Sequence, residues 1–135
     1  MKNIMFCSCG RRVQLFKFLK ESLGDSCKII ATDVQSIAPA LYAADEHYLT
    51  PRIDAPNYVD TILKIAIDND VKAITTLIDP EIELLAKNRD LFEEHGIIVL
   101  APSKETAAYC FDKYKMFCYL KKNNIRTVLT YDTLE

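Results

Sequence analysis

Charged side chains follow two apolar segments near the start of this chain. The first apolar run, residues 2–7, is followed by Gly10, Arg11 and Arg12, and a second run ends at Asp33. Directly after the arginines, apolar residues recur at the spacing of a helix. Both arginines therefore lie at the amino end of a helix, where free N–H groups and the helix dipole favour an anion. Gly10, Arg11 and Arg12 are a candidate site for a phosphate or a carboxylate.

Asp33 allows two interpretations. An acidic residue at the carboxyl end of a strand can accept hydrogen bonds from the ribose of a dinucleotide. It can also cap the turn that follows the strand. A dinucleotide site needs three glycines in the first turn, for close approach of the pyrophosphate and tight helix packing, and this turn has only Gly10. Capping is the favoured interpretation, and a nicotinamide-dependent dehydrogenase is disfavoured.

Another pair of carboxylates, Asp79 and Glu81, flanks Pro80 after a later apolar run. These carboxylates suit a cationic or amide-bearing substrate, or an arginine of a partner domain. Alternatively they begin a helix, with Asp79 as the N-cap, Pro80 at the first position and Glu81 near the positive end of the dipole. Both interpretations stay open.

The cysteines and histidines lack the spacing of metal or nucleophile sites. The five cysteines are odd in number and contain no CxxC pair, so we expect reduced, mostly buried thiols. His47 and His95 are far apart in sequence and adjoin no motif. No metal site and no catalytic residue is predicted.

Composition indicates one compact domain. The 135 residues are 50% hydrophobic, enough for a single core, and the formal net charge is −2 with both signs interspersed. No basic patch suggests nucleic acid or an anionic membrane as a partner. The apolar run at the start is too short for a signal peptide or a membrane span, which predicts a cytoplasmic protein.

Short apolar runs and helical periodicities alternate along the chain. Predicted strands lie near residues 2–7, 27–32, 47–49, 73–78 and 97–100, and predicted helices lie near residues 13–23, 56–70 and 79–95. Right-handed crossovers then give an α/β, Rossmann-like fold, an open, mostly parallel sheet with helices on both faces. Ser103 and Asp112 are predicted to cap two further helices in a tail that leads out of the domain.

Several segments occur in an order that carries a resemblance to a known family. They are Cys9 to Val13, Ala31 to Asp33, Ala38 to Asp45, Pro51 to Asp54, Leu77 to Ile82 and Asp112 to Phe117. In this order they resemble the amino-terminal, pre-ATP-grasp domain of carbamoyl-phosphate-synthase-like ATP-grasp proteins. The resemblance covers nearly the whole chain. It divides the chain into a pre-ATP-grasp domain, residues 1–110, and a linker helix with the start of a truncated ATP-grasp domain, residues 111–135.

The resemblance implies a ligase that phosphorylates a carboxylate with MgATP and passes the acyl phosphate to an amine or ammonia. ATP and Mg²⁺ then belong mainly to the later domain, and no cofactor is expected on this chain. Lys113 corresponds to the basic residue that reaches the ATP phosphates in several such enzymes. The residues assigned to the substrate cleft or to an interdomain contact are Gly10, Arg11, Arg12, Asp33, Asp79 and Glu81.

This sequence has no counterpart to two features with which the family binds its nucleotide and metal. These are a glycine-rich lid and the Glu/Asn magnesium ligands. The chain alone is therefore not expected to turn over ATP, since phosphoryl transfer depends on positioned metal and phosphate contacts. Expected partners are a downstream ATP-grasp domain, a small carboxylate and a second copy of the chain, through an exposed apolar face. Two alternatives stay open: a stand-alone small-molecule-binding or regulatory module, and a nucleotide-dependent oxidoreductase.

Overall fold

The structure, a computed structural model, describes residues 2–133 and contains one five-stranded sheet in that part of the chain. All neighbouring strands are parallel, and their order is β3-β2-β1-β4-β5. The strands are β1 (Asn3–Cys7), β2 (Ile29–Asp33), β3 (Glu46–Leu49), β4 (Val71–Thr76) and β5 (Ile98–Val99). Chain order reverses between β1 and β4, which makes the carboxyl ends of these two strands the topological switch point.

Helices lie on both faces of the sheet. They are α1 (Val13–Leu23), α2 (Tyr58–Asp68), α3 (Asp79–Lys87), α4 (Arg89–Glu93), α5 (Lys104–Phe111) and α6 (Lys113–Lys122), with short 3₁₀ turns at Gly24–Ser26 and Leu41–Ala43. The α1 helix lies on one face, and α2, α3 and α4 lie on the other, as right-handed crossovers to opposite sides of β1 require. The predicted fold class is confirmed.

Successive side chains along each strand point to opposite faces of the sheet, so a separate core forms on each face. Met5 and Cys7 of β1 point towards α2, whereas Phe6 points towards α1. On the α1 face the rings of Phe6 and Phe16 lie 5.1 Å apart, centroid to centroid. On the other face the buried Ile62 of α2 belongs to the same cluster as Met5. The sheet therefore has a buried core on each face, one formed with α1 and the other with α2, α3 and α4.

Two predicted elements differ from the structure. The predicted helix over residues 79–95 is two helices, because the Asn88 side chain donates to the carbonyl of Leu84, at 2.9 Å, and ends α3. The prediction of Asp79 as the N-cap is wrong. The cap position is Ile78, which has extended backbone and a side chain without a hydrogen-bond acceptor, so Pro80 falls at the second helical position. The predicted caps Ser103 and Asp112 are confirmed, since each accepts hydrogen bonds from backbone N–H groups of its helix.

The outer edge of β5 is closed by an arginine. Arg89 donates to the carbonyl of Val99 at 2.8 Å and to that of Ala101 at 2.6 Å. These carbonyls point away from β4, because the intervening Leu100 is the residue whose N–H donates to Ile74. The guanidinium thus occupies acceptors that an additional strand would need. In the part of the chain that is described, no helix is long and apolar enough to cross a membrane.

Candidate functional site

The turn between β1 and α1 is held by the carboxylate of Asp33. Its Oδ2 accepts from the Gly10 N–H at 2.8 Å, and its Oδ1 accepts from the Gln35 N–H at 2.9 Å. Asp33 therefore caps its own turn and also binds the neighbouring one. Both Ser8, with φ of 47°, and Gly10, with φ of 55°, have left-handed backbone. For Ser8 this is a strained conformation, of a kind that clusters at ligand-binding loops.

Arg12 joins the two strands at the switch point. Its Nη2 donates to the carbonyl of Leu77, just after β4, at 2.9 Å, and its Nη1 lies 3.5 Å from the carbonyl of Cys9 after β1. A guanidinium has five N–H donors, so donors remain for a ligand. Arg11, the other predicted anion ligand, is exposed and lies outside the cleft that Arg12 lines.

A cleft of about 300 Å³ opens beside Arg12 and Asp33, above the carboxyl ends of β1, β2 and β3. It combines the guanidiniums of Arg12 and Arg52 with the carboxylate of Asp33 and an apolar wall. Its lining residues are Ser8, Gly10, Arg12, Asp33, Val34, Thr50, Pro51, Arg52, Ile53 and Ile78. Residues 50–53 were not predicted as site residues; their position directly after a predicted strand was the signal that could have identified them.

The two carboxylates after β4 lie in different environments. Glu81 is fully buried, and its side chain accepts hydrogen bonds from the hydroxyls of Tyr58 and Thr76. It supports the strand ends from within the core and does not line the cleft. Asp79 is exposed and lies 3.8 Å from the Nζ of Lys113, which also donates to the Cys110 carbonyl at 2.7 Å. The structure thus groups Gly10, Arg12 and Asp33 and separates them from Asp79 and Lys113.

The buried groups beneath the turn favour their uncharged forms. Burial raises the pKa of the Cys7 thiol, and the charge of Glu81 adds to this rise. Burial likewise raises the pKa of the Tyr58 hydroxyl, with Cys7 and Glu81 contributing. The Cys9 thiol, 4.0 Å from Oδ2 of Asp33, has a pKa raised to about 11, by burial first and by that carboxylate second. None of these groups is an activated nucleophile at neutral pH.

The prediction of mostly buried thiols holds for only part of the chain. Cys7 and Cys9 are buried and Cys27 is half-buried, but Cys110 and Cys118 are exposed on α5 and α6. The difference arises because helices α5 and α6 bury few residues. All five thiols are free.

The first turn does not suit a phosphate group. In a dinucleotide site the glycine N–H groups of the first turn face a phosphate, whereas here the Gly10 N–H already donates to Asp33. A phosphate at that place would meet a carboxylate. Within residues 2–133, no cluster of three or more His, Cys, Asp or Glu side chains is arranged to hold a metal ion.

Solved structures share this fold over most of the chain. The biotin carboxylase domain dimer of 2-oxoglutarate carboxylase from Hydrogenobacter thermophilus is 21% identical, with a TM-score of 0.67, over 94% of this chain and 28% of that one. N5-carboxyaminoimidazole synthetase from Staphylococcus aureus, complexed with ADP, is 15% identical with a TM-score of 0.65, over 91% and 30%. Glycinamide-RNase-transformylase T from Mycobacterium tuberculosis is 14% identical with a TM-score of 0.66, over 90% and 35%.

These likenesses show the fold, a Rossmann-like open sheet. Together with the family match to residues 4–100, they confirm the predicted resemblance to a pre-ATP-grasp domain of ATP-grasp enzymes. The chain spans about a third of the length of these structures. It belongs to the family described as "PylC-like, N-terminal domain", whose model matches residues 4–100. The curated proteins include no match to this chain.

Proposed function

We propose that this chain forms the substrate-side wall of an ATP-dependent carboxylate–amine ligase that acts through an acyl phosphate. The observation that carries the proposal is the cleft beside the switch point, which Arg12 and Asp33 line together with apolar side chains. Open α/β sheets bind ligands at this place. Family membership supports the class of enzyme, and the acyl-phosphate step and the likeness to carbamoyl phosphate synthases stay predictions from the motif order.

In this proposal the cleft binds and orients the carboxylate substrate. Arg12 is fixed by its hydrogen bond to Leu77, so its remaining donors approach a carboxylate with little loss of side-chain entropy. Arg52, which also lines the cleft and pairs with Asp54 at 3.2 Å, supplies a second positive charge. Val34, Ile53 and Ile78 exclude water from the body of the ligand. The orientation presents one carboxylate oxygen to the later domain, which supplies the nucleotide and magnesium.

Lys113 is proposed to reach the ATP phosphates of that domain. In this structure Asp79 holds the lysine loosely, since both side chains are mostly exposed. A mobile ammonium at the start of α6 can exchange this partner for a phosphate at small cost.

We place the parent protein in the cytoplasm, the compartment that keeps thiols reduced, because all five cysteines of this chain are free.

The test compares Arg12→Ala with Arg11→Ala in the intact parent protein. Acyl phosphate is trapped with hydroxylamine, and the hydroxamate is measured as the carboxylate concentration is varied. We expect Arg12→Ala to raise KM for the carboxylate by about 10-fold or more, because a charged hydrogen bond is lost. Arg11→Ala removes the same charge one residue away and is expected to leave KM unchanged. Equal effects of both variants, or none from Arg12→Ala, would contradict the assignment.

A second candidate function is a stand-alone binding module. It is favoured by one observation, that residues 8–78 supply the whole lining of the cleft. Titration of this chain with small carboxylates, followed by calorimetry, separates the two candidates. Micromolar binding that is lost in Arg12→Ala, together with an intact parent that forms no hydroxamate, supports the module. Hydroxamate formation by the parent supports the ligase.

A further inference from the structure

One half of the sheet is bare on the α1 face. Phe16 packs α1 over β1, and Lys20 pairs with Asp45 beside β3, so the helix lies over the β1–β2 half. Above β4 and β5 the side chains on this face are open, with Ile98 58% exposed and Leu100 50% exposed. We call this surface the bare half-face. It consists of Ala73, Thr75, Leu77, Ile98 and Leu100.

The α1 helix forms an apolar wall along the bare half-face. Arg12 reaches the Leu77 carbonyl, so the flank of α1 that carries Arg12, Leu19 and Leu23 faces β4. Leu23 and Ile98 line one groove of about 670 Å³. Beside this flank, on the outward side of the helix, Phe18 is 56% exposed. The bare half-face and this side of α1 together leave a space in which a second helix could pack beside α1.

We infer that a second copy of this chain covers the bare half-face. Two copies pack about a twofold axis, so that α1 of each lies on β4 and β5 of the other, with Phe18 as the central anchor. Such an interface is isologous: the α1 wall of one copy meets the bare half-face of its partner twice, and the assembly closes as a dimer. Each sheet then gains the missing half of its helix layer.

The apolar area is sufficient for a dimer. Five side chains, Phe18, Leu23, Leu77, Ile98 and Leu100, each expose between 38% and 58% of their surface. Together they expose roughly 450 Å², within the range of the largest apolar patch on a typical monomer. The twofold axis doubles this area, and a polar rim brings the total to the size of a standard interface, on the order of 1,200 Å² or more.

Charges at the amino end of the groove favour this occupant. Lys2 and Lys72 line the groove where the strands begin, and Lys72 also pairs with Asp70 at 2.6 Å. The outward side of α1 carries Glu21 near the same end of the molecule, and Glu21 makes no ion pair with residues 2–133. With the twofold axis parallel to the strands, Glu21 of each copy approaches the two lysines of the other. Opposite charges at the rim then fix the orientation of the pair.

The last helices of the chain do not compete for this surface. The α5 helix packs against α3, and α6 packs against α5. Because α3 lies on the opposite face of the sheet, both helices lie in the other layer. They leave the bare half-face open in the structure.

The test measures the mass of this chain by sedimentation equilibrium. We expect a dimer, and we expect Phe18→Glu and Ile98→Glu each to raise its dissociation constant by about 30-fold or more, as for a buried anchor residue. Ile67→Glu is the matched control, because Ile67 is 47% exposed on α2, on the opposite face. This variant is expected to dimerise like the parent sequence, and circular dichroism checks that each variant is folded.

A double variant tests the predicted contact itself. Combining Phe18→Lys with Ile98→Glu places opposite charges at both symmetry-related contacts, so it is expected to dimerise more tightly than either single variant. A monomeric parent sequence, or Phe18→Glu and Ile98→Glu variants that dimerise as the parent does, would overturn the inference. The bare half-face would then be assigned to the downstream part of a longer protein.

Discussion

At the scale of single residues, the hydrogen bonds that a group already makes within the protein decide whether it can bind a ligand. Asp33 and Gly10 were both predicted as site residues, but their hydrogen bond to each other could not be predicted. That bond changes the chemistry of the first turn, because it uses the N–H group that a phosphate would need. Sequence reports which groups are present near a strand end, whereas the structure reports which donors and acceptors remain free.

The same reasoning predicts the reactivity of the thiols. Cys9 is buried and its pKa is raised to about 11, whereas Cys118 is exposed. Thiolate is the species that alkylates, so we expect iodoacetamide at neutral pH to modify Cys118 at least about 100-fold faster than Cys9. Mass spectrometry of peptides taken at intervals measures both rates in one sample. Similar rates in the folded protein would show that the turn opens readily.

At the scale of elements, periodicity predicted the strands and most of the helices, because each apolar face had a sheet to pack against. The break at Asn88 was not predicted, since a side-chain hydrogen bond to the preceding turn leaves the apolar pattern intact. The burial of Glu81 was not predicted either. A charged residue in the first turn of a helix normally faces solvent, and only the tertiary positions of Tyr58 and Thr76 reveal its environment.

Glu81 of α3 connects this helix to α2 and β4 through Tyr58 and Thr76, and two substitutions separate the effect of side-chain volume from that of hydrogen bonding. A glutamine fits the same space, since its oxygen accepts from Tyr58 and its amide donates to Thr76, whose own proton then goes to the Cys7 carbonyl, 3.3 Å away. We expect Glu81→Gln to lower the free energy of unfolding by about 1 kcal/mol or less. Glu81→Ala leaves buried hydroxyls unsatisfied and a cavity, so we expect a loss of about 3 kcal/mol.

Urea denaturation of the two Glu81 variants provides the measurement. Thr76→Val serves as a matched control, because it keeps the volume of the side chain and removes one donor to Glu81. Its cost is expected to fall between those of the two glutamate variants. If Glu81→Gln costs as much as Glu81→Ala, the negative charge itself stabilises the fold and the hydrogen-bond account is wrong.

At the scale of the whole molecule, Asp45 ties α1 to the sheet. It accepts from the Ile29 N–H at 2.8 Å and pairs with Lys20 at 2.6 Å. Burial opposes ionisation, but this N–H and the ammonium outweigh it, so the pKa of Asp45 is lowered below its ordinary value of 3.8. Its contribution to stability is therefore present above that value and is lost as the pH falls through the lowered pKa.

Asp45→Asn should consequently destabilise the protein in a pH-dependent way. At neutral pH we expect a loss of about 1 kcal/mol in the free energy of unfolding, after discounting for solvent exposure of the pair. The difference from the parent sequence should narrow as the pH falls below about 4. Denaturation curves at several pH values measure it, with Asp68→Asn, in an exposed pair with Lys64, as the comparison. A difference that stays constant with pH would contradict the role of the charge.

The guanidinium of Arg89 affects how the protein associates with itself at high concentration. An open sheet edge is a template on which further strands can add without limit, and such growth ends in fibres or precipitate. Along β5 the template carbonyls of Val99 and Ala101 are already occupied. Growth from that edge is blocked. At this side of the molecule, the route left for association is stacking of one face on another, and a stacked pair with twofold symmetry stops at two.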